Sequence, residues 1–136
     1  MNIMKKNGIL NSPIARVLSE LRHTDQIVIG DAGLPVPSHV KEIDISLKLG
    51  TPTFIEVLEE IEKDMKIEKI ILADEIKTTN PTQFKQVTDL IQLEEEAIAF
   101  VSHEEFKKLT ENAKVIIRTG EMTPYSNIIL QADVIF

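Results

Sequence analysis

The sequence predicts one α/β domain, a sandwich in which a central, mainly parallel sheet with mixed edges is flanked by about four helices. Three observations lead there. The 136 residues are enough for a single domain that buries roughly two-thirds of its unfolded surface. Short apolar runs with strand character alternate along the chain with segments of helical period. Proline or glycine marks the joints, and Asn11-Ser12-Pro13 and Asn80-Pro81 both carry the cap-plus-proline signature of a helix start.

Taken in order, the residues up to Met4 read as an alternative start or a disordered lead. Asn11-Ser12-Pro13 opens the first helix, which sets Ile14, Val17, Leu18 and Leu21 on one face and is expected to end near Arg22-His23. Gln26 to Ile29 is a strand that closes in the flexible turn Gly30-Asp31-Ala32-Gly33, and Leu34-Pro35-Val36-Pro37 is too rich in proline for a central strand. Strict alternation over Glu42 to Leu47 predicts a half-buried strand. Gly50-Thr51-Pro52 starts a second helix with Phe54, Val57, Leu58, Ile61 and Met65 on its apolar face.

Lys69 to Ala73 is a buried strand that runs into the charged Asp74-Glu75-Ile76-Lys77, and Asn80-Pro81 opens a third helix through Phe84, Val87 and Ile91. Glu94 to Glu96 reads as a solvated turn before the strand Ala97 to Val101. Ser102-His103-Glu104-Glu105 has the form of a capping box, with Ser102 as cap, Glu105 reaching back, and Phe106 and Leu109 anchoring a short fourth helix. A strand over Val115 to Arg118, a polar loop through Asn127 and a strand from Ile128 to Ile135 complete the chain.

Composition removes several classes of function. With no cysteine, disulfides and thiolate metal sites are excluded. No apolar run approaches the roughly 20 residues of a membrane span, Met1 to Lys6 is too short and polar for a signal peptide, and a cytoplasmic location is expected. A net charge of -7 disfavours nucleic acid and anionic membrane as partners. The three histidines lack metal-binding helical spacing, so no metal site is expected, and the glycine-rich nucleotide and nucleophile-elbow motifs are missing.

His23 and Asp31 bracket the first strand, a proton-transfer group before it and a carboxylate after it. At the expected helix end the dipole would favour a protonated His23, whereas His103, opening a helix, would be favoured neutral. Asp31, His103, Tyr125 and Asn127 all follow strands, where open α/β sheets bind ligands. Each also has a structural reading: His23 bonding terminal carbonyls, Asp31 shaping its turn, His103 exposed in a first turn, Tyr125 in a core or interface, Asn127 in a turn. His39 reads as an exposed loop residue.

Four separated stretches, in family order, resemble the D-ribose pyranase family from about Met4 to Phe136. They are Lys5-Lys6-Asn7-Gly8-Ile9-Leu10-Asn11; His23-Thr24-Asp25 with Asp31-Ala32-Gly33-Leu34-Pro35-Val36-Pro37; Ser102-His103-Glu104-Glu105-Phe106; and Arg118-Thr119-Gly120-Glu121 with Thr123-Pro124-Tyr125-Ser126-Asn127. L-fucose mutarotases share the scaffold. The resemblance implies a cofactor-free isomerase that interconverts pyranose and furanose forms of D-ribose beside ribose uptake and phosphorylation. It also implies a ring-shaped homo-oligomer, a pentamer or a decamer of two stacked pentamers, with sites at subunit junctions.

By motif matching, His23 corresponds to the family's proton donor, and Asp31, His103, Tyr125 and Asn127 fall on sugar-binding positions. The fucose branch tends to carry arginine at the place of His103, which favours ribose. Pro13 and Gly30 depart from the family pattern. Opening a hemiacetal needs only proton transfers, so a histidine working near neutral pH suits the chemistry. The alternatives are an L-fucose-type mutarotase and a non-catalytic sugar-binding or regulatory module.

Overall fold

The computed structural model describes residues 4–136, so the expected lead at Met1 to Ile3 lies outside the described residues. Asn11 caps α1 (Ser12–Glu20), its Oδ1 accepting the Ile14 N–H at 3.0 Å. The helix stops earlier than its apolar period suggests. Leu21 turns extended, and Asp25 takes the Arg22 N–H at 2.8 Å, a local bond that competes with another helical turn. His23 therefore sits in a separate turn beyond the reach of the helix terminus, and Thr24 beside it has φ 72°.

The strands are β1 (Gln26–Gly30), β2 (Lys41–Asp44), β3 (Ile67–Ala73), β4 (Ile98–Val101), β5 (Val115–Arg118) and β6 (Ile128–Ala132). They form one sheet in the order β2-β5-β1-β6-β3-β4. Pairs β1–β5, β2–β5 and β3–β4 are parallel, while β6 runs antiparallel to both β1 and β3. The mainly parallel α/β class is as expected, but the antiparallel member is central and both edges are parallel. The reason is the connection: β6 follows β5 through a loop that stays at one end of the sheet, so the chain re-enters running backwards without a crossover helix. Ile128, Ile129 and Leu130 are buried together, which suits a strand covered on both faces.

The helices predicted after α1 are present as α2 (Phe54–Glu62), α4 (Pro81–Leu90) and α5 (His103–Leu109), together with an unforeseen one-turn helix, α3 (Ile76–Thr79), in the charged cluster. Thr53 and Glu56 cap α2 reciprocally, and Asn80 caps α4. Ser102 caps α5 as expected, its hydroxyl accepting the Glu105 N–H, but the carboxylate at this helix start is that of Glu75, which accepts the His103 N–H, and not Glu105 reaching back. The larger core packs Ile27, Ile29, Ile70, Leu72 and Ile117 under α1, α2 and α4; Val28, Ile71, Ile116 and Ile129 face Phe106 of α5 and Leu34. Alternate residues of each strand thus serve opposite faces.

Candidate active site

The end of β1 makes a fixed carboxylate. Asp31 donates its backbone N–H to Asn127 Oδ1 at 2.8 Å, and Asn127 Nδ2 returns a bond to Asp31 Oδ2 at 3.1 Å. The other carboxylate oxygen accepts the Gly33 N–H at 2.9 Å. Asn127 is fully buried, so the amide serves as a clamp behind Asp31. Gly30 permits this closeness, because a Cβ there would lie 2.7 Å from Leu34 Cδ2 and 3.1 Å from Asn127 Oδ1. Burial pushes the Asp31 carboxyl above its ordinary range, against the opposing pull of the Gly33 and Asn127 bonds and the nearby charge of His103. It is an acceptor held partly out of water, suited to a sugar hydroxyl.

His103 and Tyr125 complete the same corner. Their rings meet edge to face, with centroids 5.2 Å apart. Glu75 fixes the start of α5 by accepting the His103 N–H at 3.0 and 3.1 Å, and His103 Nδ1 is a buried atom without a hydrogen-bond partner among the described residues. A buried polar atom left in that state is satisfied when a ligand or water arrives. Tyr125 has φ 58°, a conformation rarely adopted by residues with a side chain and one that concentrates at functional sites.

The loop that presents Tyr125 is scaffolded by buried polar residues that periodicity does not reveal. Ser126 Oγ accepts bonds from Gln83 Nε2 at 3.1 Å and Asn80 Nδ2 at 3.3 Å. Glu121, only 9% exposed, accepts the Phe54 N–H at 2.9 Å and the Thr123 hydroxyl at 2.8 Å. Arg118 braces the Asp31 turn, donating to the Ala32 carbonyl at 2.6 Å while paired with Glu42 at 2.7 Å. Asn80 was visible in the sequence only as a helix cap, and Arg118, Glu121, Thr123 and Ser126 only as members of a stretch that carries the family resemblance, without a role.

Glu121 carries a pH prediction. Burial alone would raise its carboxyl, but the bonds from Phe54 and Thr123 outweigh burial and hold it below the ordinary value of 4.5. A group depressed in the folded state stabilises above its unfolded pKa and loses that contribution as pH falls through the folded one. Unfolding by urea should therefore show stability lost as pH drops from about 5 towards 3. The loss should be smaller in Glu121→Gln, which at pH 7 should be about 1–3 kcal/mol less stable than the parent.

His23 stands apart from these four residues. It precedes β1 whereas Asp31 follows it, and the five residues of the strand span roughly 16 Å. Asp31 cannot hold the imidazole of its own chain. His23 Nε2 instead lies 2.8 Å from Glu68 Oε1 and 3.8 Å from Asp133 Oδ1. The ring borders a cleft of about 460 Å³ that is also lined by Leu21, Met65 and Phe136. Among the described residues, ligand atoms of His23, Glu68 and Asp133 lie within 4.8 Å of one another, near enough to share a cation. Histidine spacing could not reveal this group, because two of its three members are carboxylates distant in sequence. A cation there would occupy Nε2, the nitrogen that already meets Glu68.

No helix among the described residues is long and apolar enough to cross a membrane. The profile of the RbsD / FucU transport protein family matches residues 4–135. The D-ribose pyranase of Staphylococcus haemolyticus is 57% identical over 134 residues, covering 98% of this chain and 100% of the relative. That of Exiguobacterium sibiricum is 53% identical over 133 residues, with 98% and 100% covered. Among solved structures, Bacillus subtilis RbsD complexed with D-ribose matches with TM-score 0.92 and 53% identity, covering 98% of this chain and 100% of that one. The fucose mutarotase of Streptococcus pneumoniae in complex with L-fucose matches with TM-score 0.80 and 25% identity over 93% and 95%. With residues 4–135 accounted for in this way, the chain belongs to the RbsD / FucU transport protein family.

Proposed function

We propose that this protein interconverts the pyranose and furanose forms of D-ribose by general acid–base ring opening, with no cofactor. The observation that carries the reading is the near full-length likeness, at 53% identity and TM-score 0.92, to a relative solved with D-ribose bound. The polar corner of Asp31, His103 and Tyr125, with Asn127 behind it, offers the acceptors and donors that a polyhydroxylated ligand needs. The cytoplasm and ribose catabolism are the setting of the same proposal.

In ring opening, the anomeric hydroxyl gives its proton to solvent water, the bond from the anomeric carbon to the ring oxygen breaks, and His23 protonates that oxygen. Closure reverses the sequence with a different hydroxyl: it attacks the carbonyl carbon and returns its proton to His23, while the carbonyl oxygen takes back from solvent water the proton released on opening. His23 ends in its starting state. Asp31 accepts a sugar hydroxyl, and His103 and Tyr125 fix the others, with Asn127 holding Asp31. Because His23 and Asp31 occupy opposite ends of β1, one sugar meets both only when two subunits contribute. A ring-shaped homo-oligomer, pentamer or decamer, supplies such junctions, and sedimentation distinguishes the two sizes.

Magnetisation-exchange NMR on equilibrated D-ribose tests the reading directly. Pyranose-to-furanose exchange should accelerate with the protein, and more than the corresponding exchange of L-fucose. Acceleration confined to L-fucose would replace the reading with that of a fucose mutarotase, the alternative supported by the 25% identical relative. No acceleration with either sugar, despite saturable binding, would indicate a binding module.

A further inference from the structure

The contacts of His23 form a chain across three strands. Gln26 Nε2 on β1 donates to Gln131 Oε1 on β6 at 2.9 Å, and Gln131 Nε2 donates to Glu68 Oε2 on β3 at 2.6 Å. Glu68 Oε1 then meets His23 Nε2 at 2.8 Å. Backbone register explains why Glu68 reaches this line. Ile67 pairs with Ala132 and Lys69 with Gln131, so Glu68 is the extra residue of a bulge, a device that re-aims a side chain and is enriched beside active sites. On the other side, Thr24 is a β-branched residue at φ 72°, tied through its N–H to the Ala132 carbonyl at 2.9 Å. Two local irregularities, on β3 and before β1, thus converge on one imidazole.

We propose that Glu68 is the positioning residue of His23: it holds Nε2 as the protonated nitrogen and leaves Nδ1 as the atom that exchanges protons with the sugar. The inference rests on the proton-transfer role given to His23 above. The donor inventory sets the polarity of the chain. Each glutamine presents its amide nitrogen to the next oxygen, and an ionised carboxylate can only accept, so His23 Nε2 must donate. A glutamate is ionised at neutral pH, and two donors meet the Glu68 carboxylate, Gln131 Nε2 at 2.6 Å and His23 Nε2 at 2.8 Å. Fixing one ring nitrogen through its partner is how a carboxylate selects the tautomer of a catalytic histidine.

The test compares the full-length parent with Glu68→Gln, using ¹⁵N shifts of the His23 ring to identify the protonated nitrogen and NMR exchange to follow D-ribose. In the parent, neutral His23 should carry its proton on Nε2. In Glu68→Gln the ring should become a mixture of tautomers, and the saturating exchange rate should fall on the order of 10-fold or more while the ribose concentration at half-saturation stays within about twofold. Glu68→Asp, which restores a carboxylate one methylene shorter, should recover part of both signals. A merely structural Glu68 would lower the urea midpoint without moving the tautomer, and that result would overturn the proposal. So would an Nδ1–H tautomer in the parent. If His23→Ala abolishes exchange but Glu68→Gln changes neither signal, positioning fails and the proton-transfer role survives; if His23→Ala exchanges normally, both fail.

Discussion

Replacing His23 by alanine should slow pyranose-to-furanose exchange about 10²- to 10⁴-fold, the range that one positioned acid–base group typically contributes. The fold should survive, because the His23 side chain is 51% exposed and belongs to neither core cluster. An unchanged urea midpoint together with lost exchange would separate chemistry from stability. Preserved exchange would sink the role assigned to His23.

The geometry permits a sharper version. If a site takes His23 from one subunit and Asp31 from another, His23→Ala and Asp31→Ala chains should each be nearly inactive alone. Coexpressed in equal amounts, they should recover about a quarter of parental activity, because random assembly leaves that share of junctions with both residues intact. A mixture as inactive as its parts would mean that no junction is shared.

Alanine at Gly120 should be the most damaging of the glycine-to-alanine changes. A Cβ there would collide with the Thr51 carbonyl oxygen and lie 2.6 Å from Thr51 N and C. These are backbone atoms, and rotating a side chain cannot clear them. The two segments are also tied, with Gly120 N–H donating to the Pro52 carbonyl at 2.9 Å and Gly50 N–H to the Gly120 carbonyl at 2.7 Å. Overpacking typically costs about 1–3 kcal/mol, and a backbone obstruction belongs at the upper end. The urea midpoint should fall with little change in slope. Exchange should fall as well, since the loop carrying Glu121, Tyr125 and Asn127 begins at this seam. A parental midpoint would refute the packing argument.

Much of the fold was legible in local sequence because its causes are local. Asn11, Asn80 and Ser102 sit at helix starts, where their side chains accept N–H groups within three residues. The apolar runs of β1, β3 and β5 were long and pure enough to stand as buried strands. Asp31, His103, Tyr125 and Asn127 could be expected near one another because each leaves a strand or precedes one at the same end of a parallel sheet.

The sequence by itself thus determined the α/β class and most helix starts, and it offered Asp31, His103, Tyr125 and Asn127 as candidates for one shared site. Tertiary structure alone decided the central place of β6, the separation of His23 from Asp31 and the contacts that orient each of them. The reason is distance along the chain. Asp31 meets Asn127 across 96 residues, His23 meets Glu68 across 45, and Gln26 meets Gln131 across 105. Helical and strand periods report which face of an element is apolar, but not which strand lies beside which or which end of it a loop occupies. Buried Glu121 and the bulged Glu68 look like solvated charges in one dimension, and they become scaffold and positioning groups only where folding supplies their donors.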